Sequence, residues 1–333
     1  MQVRGLDTAV VVLATALLAP LPVAAQNATY KAPRTSDGKP DISGTFNFAT
    51  ITPLQRPEAL AGKEKLSEQE AAEFEASENK RLNRDLFDPI KGAPSAGYAP
   101  RAQGGVLSYN EFWYERGSAL TSDKRTSLIT DPLDGRVPIN DETRKRNAEQ
   151  GRKLGAGFAD SYTDRSLADR CIMGFNAGPP MVSGAYNNNM QIFQAPGYVA
   201  ILNEMVHNAR IIPTDGRPHG NIRQWSGDSR GRWEGETLVV ETINFKQETS
   251  LTGSSANTKV IERFTRINPN TVVYAFRVED PTTYTRPWSA AMPLNKTDEW
   301  LFEYACHEGN YGLFNIMAGA RQKERAESAT PTK

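Results

Sequence analysis

The sequence predicts a mainly β protein: an antiparallel meander closed, or nearly closed, into a barrel of lipocalin-like architecture, with a helical N-terminal arm and a C-terminal helix. From about residue 190 the chain runs in paired apolar stretches broken by turn residues, the pattern of antiparallel hairpins. MQIFQAPGYVAILNEM turns at Pro196-Gly197, RWEGETLVVET at Glu234-Gly235, and VIERFTRINPNTVVYAFRVED at Asn268-Pro269-Asn270. DEWLFEYAC reads as a further strand. Seven or more strands then fall within about 120 residues with no helical pattern between them, which argues against a parallel sheet.

The elements follow in chain order. Residues 1–25 read as an export signal: Arg4, an apolar run from Ala9 to Ala19, then small residues at Ala24 and Ala25, so the mature chain is expected to start at Gln26. The run is too short to span a bilayer, which takes about 20 apolar residues. The expected location is therefore periplasmic or secreted, with no membrane span. Residues 26–109 form an arm with one helix, announced by the capping box Ser67-Glu68-Gln69-Glu70 and running to about Arg84. GAPSAGYAPRAQGG, 92–105, reads as a loop. The barrel region, 110–322, begins with two helices expected at 140–154 and 162–172. It ends in a closing helix on which Leu313, Phe314, Ile316, Met317 and Ala320 recur at helical spacing. Residues 323–333 read as a frayed tail.

Alternation along two strands raises the question of what lines the barrel. Val272, Tyr274, Phe276 and Val278 share one face, and Val273, Ala275, Arg277 and Glu279 the other. In the partner strand Glu262 and Arg266 share a face with Phe264. These charges either line part of an interior or mark an outer, solvated face.

Composition narrows the function classes. The chain has 333 residues, 39 basic and 39 acidic side chains and 38% hydrophobic residues, the profile of a globular protein. A formal net charge of +0 leaves no footprint for nucleic acid or an anionic membrane. Cys171 and Cys306 are the two cysteines; in an exported chain a pair is expected to form a disulfide, and the rival role, metal ligation, draws on His307 beside Cys306.

Several blocks occur together in order: NEFWYERG at 110–117, RTSLITDPLDGRVP at 125–138, RCIMGFNAGPPM at 170–181, GYVAILNEMVHNARIIPTDGRPH at 197–219, GDSRGRWEGETLVV at 227–240 and YACHEGNYGL at 304–313. The chain resembles, over nearly its whole mature length, a large family of exported bacterial proteins marked by these blocks. The resemblance implies export and one chain-length unit, and it brings no activity with it.

Chemistry is sought in the three histidines, each set in a polar motif: Glu204-x-x-His207, Arg217-Pro218-His219 and Cys306-His307-Glu308. His207, His219 and His307 together would suit a divalent, zinc-like metal with an open position, if three separate segments assembled them. Without metal, His307 with Glu308 is the first acid–base pair and His207 the second catalytic candidate. Glu204 and His207 lie three apart, which on a strand places them on opposite faces.

Arg210 and Arg230 have the forked donors of an anion clamp, against which stands pairing with nearby carboxylates such as Asp228. Trp225 offers a platform for a sugar or aromatic ligand, or fills the barrel. Trp225, Asp228, Arg210, Arg230 and Glu204 are thus the substrate-binding candidates. Gly227-Asp228-Ser229-Arg230-Gly231 fits G-x-S-x-G, but polar residues precede it and a hairpin follows it, whereas a nucleophile elbow needs an apolar strand before and a helix after. Its glycines are expected to allow positive backbone angles at bends. The expected function is an exported enzyme acting on a small molecule or saccharide by hydrolase or lyase chemistry; the alternative is a non-catalytic periplasmic ligand-binding protein.

Overall fold

Each hairpin turns where Gly, Pro or Asn interrupts an apolar alternation, and the hairpins join into one sheet. The computed structural model describes residues 30–86, 111–155, 159–247 and 255–329; the expected export signal and the loop expected at 92–105 lie outside these residues. The strands are β1 (Gly44–Asn47), β2 (Ile129–Asp131), β3 (Asn189–Ala195), β4 (Tyr198–Asn203), β5 (Ala209–Pro213), β6 (Asp228–Glu234), β7 (Thr237–Ile243), β8 (Lys259–Asn268), β9 (Thr271–Glu279) and β10 (Trp288–Lys296). Their order in the sheet is β5-β4-β3-β1-β10-β9-β8-β7-β6, with β2 also paired to β10. Every ladder is antiparallel.

The two ends of this path meet to nearly close a barrel. Gly231 of β6 marks the seam: a side chain there would meet Thr214 at 2.8 Å and Ile212 of β5 at 3.0 Å. Close approach, and not a positive backbone angle, is what this glycine serves; Gly227 and Gly235 do have positive φ, at +69° and +60°.

The barrel's inside is solid. Phe46, Met190, Ile192, Ile201, Ile212, Leu238, Val240, Phe264, Tyr274, Phe276, Trp288 and Leu294 are all buried at 2% exposure or less, so no water-sized space opens among them. Phe264, Tyr274, Phe276 and Trp288 form a chain of rings with centroids 4.9, 5.5 and 5.6 Å apart. Glu262 and Arg266 point inward with Phe264, while Arg277 and Glu279 on β9 pair with each other on the outside.

Both inward charges are held. Arg266 donates to the carbonyls of Asp41, Ser43 and Pro269, tying the arm across one barrel end. The arm also supplies β1, which bridges β3 and β10, so the barrel begins well before residue 110.

Helix α1 (Glu68–Leu82) starts at the expected capping box, with Ser67 and Glu70 bonding reciprocally. It packs Ala71 and Phe74 against Ile51, Leu66 and Leu120 beside the barrel. Helix α2 (Asp141–Gly155) forms as expected.

Three elements differ from expectation. Residues 162–172 contain only a short 3-10 turn, Tyr162–Asp164. The stretch 298–306 pairs in no ladder. Helix α3 (Tyr311–Ala329) runs past residue 322 and closes nothing: none of its described side chains is buried, and Phe314 is 71% exposed. Among the described residues, no helix is long and apolar enough to cross a membrane.

Candidate functional site

The stretch after β10, residues 297–306, is a strap laid across the outer wall. The Thr297 N–H donates to the Thr45 carbonyl of β1; Glu299 accepts from Asn189 of β3; the Phe302 N–H donates to Glu204 just after β4; the Tyr304 carbonyl meets His207; and Cys306 is bonded to Cys171. The disulfide expected from the two cysteines thus anchors the strap's far end, with Cα atoms 5.6 Å apart across 135 residues of sequence.

Around the start of β3, where Asn189 donates to Glu299 of the strap, lies a set of polar side chains. Asn47 donates to Asn189 at 2.8 Å. Asn188 donates to the carbonyls of Glu115 and Gly184, and Asn176 to those of Tyr186 and Asn187. Asn176, Asn188, Asn189 and Asn203 are all buried. Such groups cost free energy unless bonded, yet Asn176 Oδ1, Asn203 Oδ1, Asn208 Nδ2 and Glu204 Oε2 make no hydrogen bond of ordinary geometry in the protein.

Glu204 is the centre of this region. It is 4% exposed; Oε1 accepts the Phe302 N–H at 3.1 Å, and Oε2 accepts no bond of ordinary geometry, although the Asn187 and Asn189 side chains lie near enough to favour the carboxylate. Burial raises its carboxyl above the ordinary glutamate range and the charge of Glu115 adds to this, against the opposing effects of the Phe302 N–H, Asn187 and Asn189. Asp123, Asp215, Asp228 and Asp280 go the other way: hydrogen-bond donors hold each below the ordinary range.

The chain turns sharply after Glu204, so the strand geometry expected for Glu204 and His207 does not apply. Met205–His207 is a 3-10 turn in which the His207 N–H donates to the Glu204 carbonyl at 3.0 Å. Val206 and His207 have φ of 56° and 39°, a region that a β-branched residue enters only under strain. Gly174 makes room for the turn, since a side chain there would come within 2.0 Å of Met205 Cγ.

His207 is exposed, and its Nδ1 lies 3.3 Å from the Tyr304 carbonyl. A carbonyl only accepts, so Nδ1 carries the proton in that bond and the neutral ring offers Nε2 as base. Glu204 and His207 are anchored two residues apart on the strap, a distance of at most about 7 Å along the chain. Next to this corner opens a cleft of about 460 Å³, whose walls include Tyr304, Cys306, Asp169, Asn310 and Leu313.

The other candidates fall elsewhere. His307 and Glu308 sit on an exposed turn at residues 306–309, and among the described residues neither side chain bonds the other or a third group, so they do not form the expected orienting pair. His219 stands apart from both other histidines: Nδ1 is 3.1 Å from Asp228 and Nε2 is 3.4 Å from Glu241. The three histidines therefore do not assemble the zinc-like site, and among the described residues no three His, Cys, Asp or Glu are placed to hold a metal ion.

Neither proposed anion clamp is free. Arg210 is buried inside the barrel, its two terminal nitrogens 2.7 and 2.8 Å from the two oxygens of Glu262, which also accepts from Tyr274 at 2.7 Å. Arg230 is committed to Asp228 and the carbonyls of Pro218 and Ser229. The half-buried Trp225 is faced by Lys246 at 4.4 Å and Arg170 at 5.8 Å, so cations occupy its ring. Ser229 is buried in β6 and bonds Thr242 at 2.8 Å, as expected of a hairpin and not of an elbow.

Glu115 and the asparagines form no recognisable chemical motif in the chain, and nothing in the sequence alone joins them to Glu204. The run Asn187-Asn188-Asn189 just before β3 is the signal that could have pointed to the asparagines. No protein family, curated protein or solved structure matches this chain.

Proposed function

We propose that the chain is an exported enzyme that processes a small polar molecule or saccharide by acid–base chemistry at the corner made by Glu204 and His207. One observation carries the reading: a buried carboxyl with one oxygen that accepts no bond of ordinary geometry and a raised affinity for its proton, set beside a histidine whose Nδ1 is already committed. A carboxyl that burial makes hold its proton more tightly than an ordinary glutamate is a proton donor, and a neutral imidazole is a proton acceptor. Glu204 gives its proton to the leaving group, and His207 Nε2 takes one from water or from the substrate. The strained turn supports the same reading, since backbone strain gathers at functional sites.

The test compares the wild-type chain with Glu204→Gln and His207→Ala on a panel of glycosides, esters and lactones. The expected result is a loss of about 100-fold or more in kcat for each variant, the usual worth of a positioned acid or base. Turnover by both variants at the wild-type rate contradicts the assignment. Ligand binding by the wild-type chain with no turnover of any class moves it to the binding-protein reading.

A further inference from the structure

Beyond the acid and base, the outer wall presents a second carboxylate that neither role uses. Glu115 follows the short 3-10 turn Glu111–Trp113 and is fixed by its backbone: its N–H donates to the Ala185 carbonyl at 3.0 Å, and its own carbonyl accepts from Asn188 Nδ2 at 2.8 Å. Asn188 is fully buried, and its neighbour Asn189 accepts the Glu204 N–H on its carbonyl at 3.0 Å. Asn188 and Asn189 therefore hold the two glutamates to the same short stretch of chain. The Glu115 side chain is exposed where that of Glu204 is buried.

We propose that Glu115 and Glu204 form an unlike carboxylate pair that cuts a glycosidic bond, and that the substrate is a neutral saccharide. The inference rests on Glu204 being the acid. Two carboxyls in contrasting surroundings, one buried and one solvated, divide into an acid and a charged partner, the two roles that glycoside cleavage uses. Trp300 and Phe302 of the strap expose 80% and 74% of their surface as faces for sugar rings. In the reaction the Glu204 proton passes to the glycosidic oxygen as the bond from that oxygen to the anomeric carbon breaks, its electron pair staying on oxygen. The Glu115 carboxylate stabilises the positive charge that develops at the anomeric carbon. Water adds to that carbon and gives a proton to His207, and proton exchange with solvent restores Glu204.

The experiment uses the disulfide-bonded chain and its Glu115→Gln and Glu204→Gln variants, with 4-nitrophenyl glycosides, unactivated disaccharides, 4-nitrophenyl acetate and 4-nitrophenyl phosphate. The charged and titratable groups around Glu204 are Glu115, His207 and, through Asn189, Glu299. Glycosides should be hydrolysed, and Glu115→Gln should lower kcat about 100-fold while moving the high-pH limb of the rate profile to lower pH, because a charge that favours protonated Glu204 is gone. Glu204→Gln should hurt disaccharides more than nitrophenyl glycosides, whose leaving group needs little help from an acid. Glycoside turnover by Glu115→Gln at the wild-type rate with an unmoved limb overturns the role of Glu115. Turnover of acetate or phosphate only, lost in Glu204→Gln, overturns the saccharide proposal and leaves Glu204 as the acid. If no substrate is turned over and Glu204→Gln binds saccharides as wild type does, both readings fail.

Discussion

Glu204 and Glu262 are both buried glutamates, and their surroundings differ sharply. Glu262 spends its two oxygens on Arg210 and Tyr274, so nothing remains for a ligand. Removing one partner from such a buried pair leaves a stranded charge; Glu262→Ala should cost about 3–5 kcal/mol in urea unfolding, whereas replacing both residues by apolar ones of similar volume, Arg210→Met with Glu262→Leu, should cost far less. Equal losses in the two variants would mean that the site, and not the stranded charge, sets the cost. Glu204 has an oxygen to spare, and its raised carboxyl makes the folded chain bind the proton more tightly than the unfolded chain does. Its stabilising contribution is therefore full below the unfolded value near 4.5 and is lost as pH rises through the folded value. Glu204→Gln cannot titrate, so its urea midpoint should fall less than that of wild type between pH 4.5 and 8. Parallel midpoints would show that Glu204 is not displaced.

At the scale of elements, the hairpins were readable because Pro196-Gly197, Gly235 and Asn268-Pro269-Asn270 break the apolar alternation where the chain reverses. The strap was not. Trp300, Phe302 and Tyr304 alternate as a strand would, but the free side of β10 is already taken by β1 and β2, which leaves 298–306 no ladder to join. β10 itself was hidden by Pro293, tolerated because it falls between the stretches that pair with β2 and with β1. The strap hangs on the Cys171–Cys306 bond, which closes a long loop and is worth several kcal/mol, about 3–5, in the chain-entropy account. Replacing both cysteines by serine should leave the barrel's circular dichroism unchanged while hydrogen exchange at Phe302 accelerates and turnover falls. Slow exchange at Phe302 in that variant would mean that other contacts seat the strap.

For the molecule as a whole, the packed barrel leaves the proposed site on its wall. Sequence alternation foresaw the sheet and placed Glu262 with Phe264, but it left open whether the charges face inward, since burial depends on how the sheet closes. That closure runs through Gly231; Gly231→Val should press on Ile212 and Thr214 and cost about 1–3 kcal/mol, as overpacking does, read as a lowered urea midpoint. An unchanged midpoint would mean that the seam is loose. Glu204 and His207 were legible as residues and not as a site, because the contact that defines them, Phe302 to Glu204, joins positions 98 apart in the chain. His307 and Glu308 stood out by adjacency, and the fold leaves them on a turn. The whole barrel, on this account, holds one carboxyl out of water against the strap. The most direct test is a ¹³C NMR titration of the Glu204 side-chain carboxyl, assigned by its loss in Glu204→Gln. The account predicts a midpoint above the ordinary 4.5 that moves down in Glu115→Gln; a midpoint at or below 4.5, indifferent to Glu115, would contradict it.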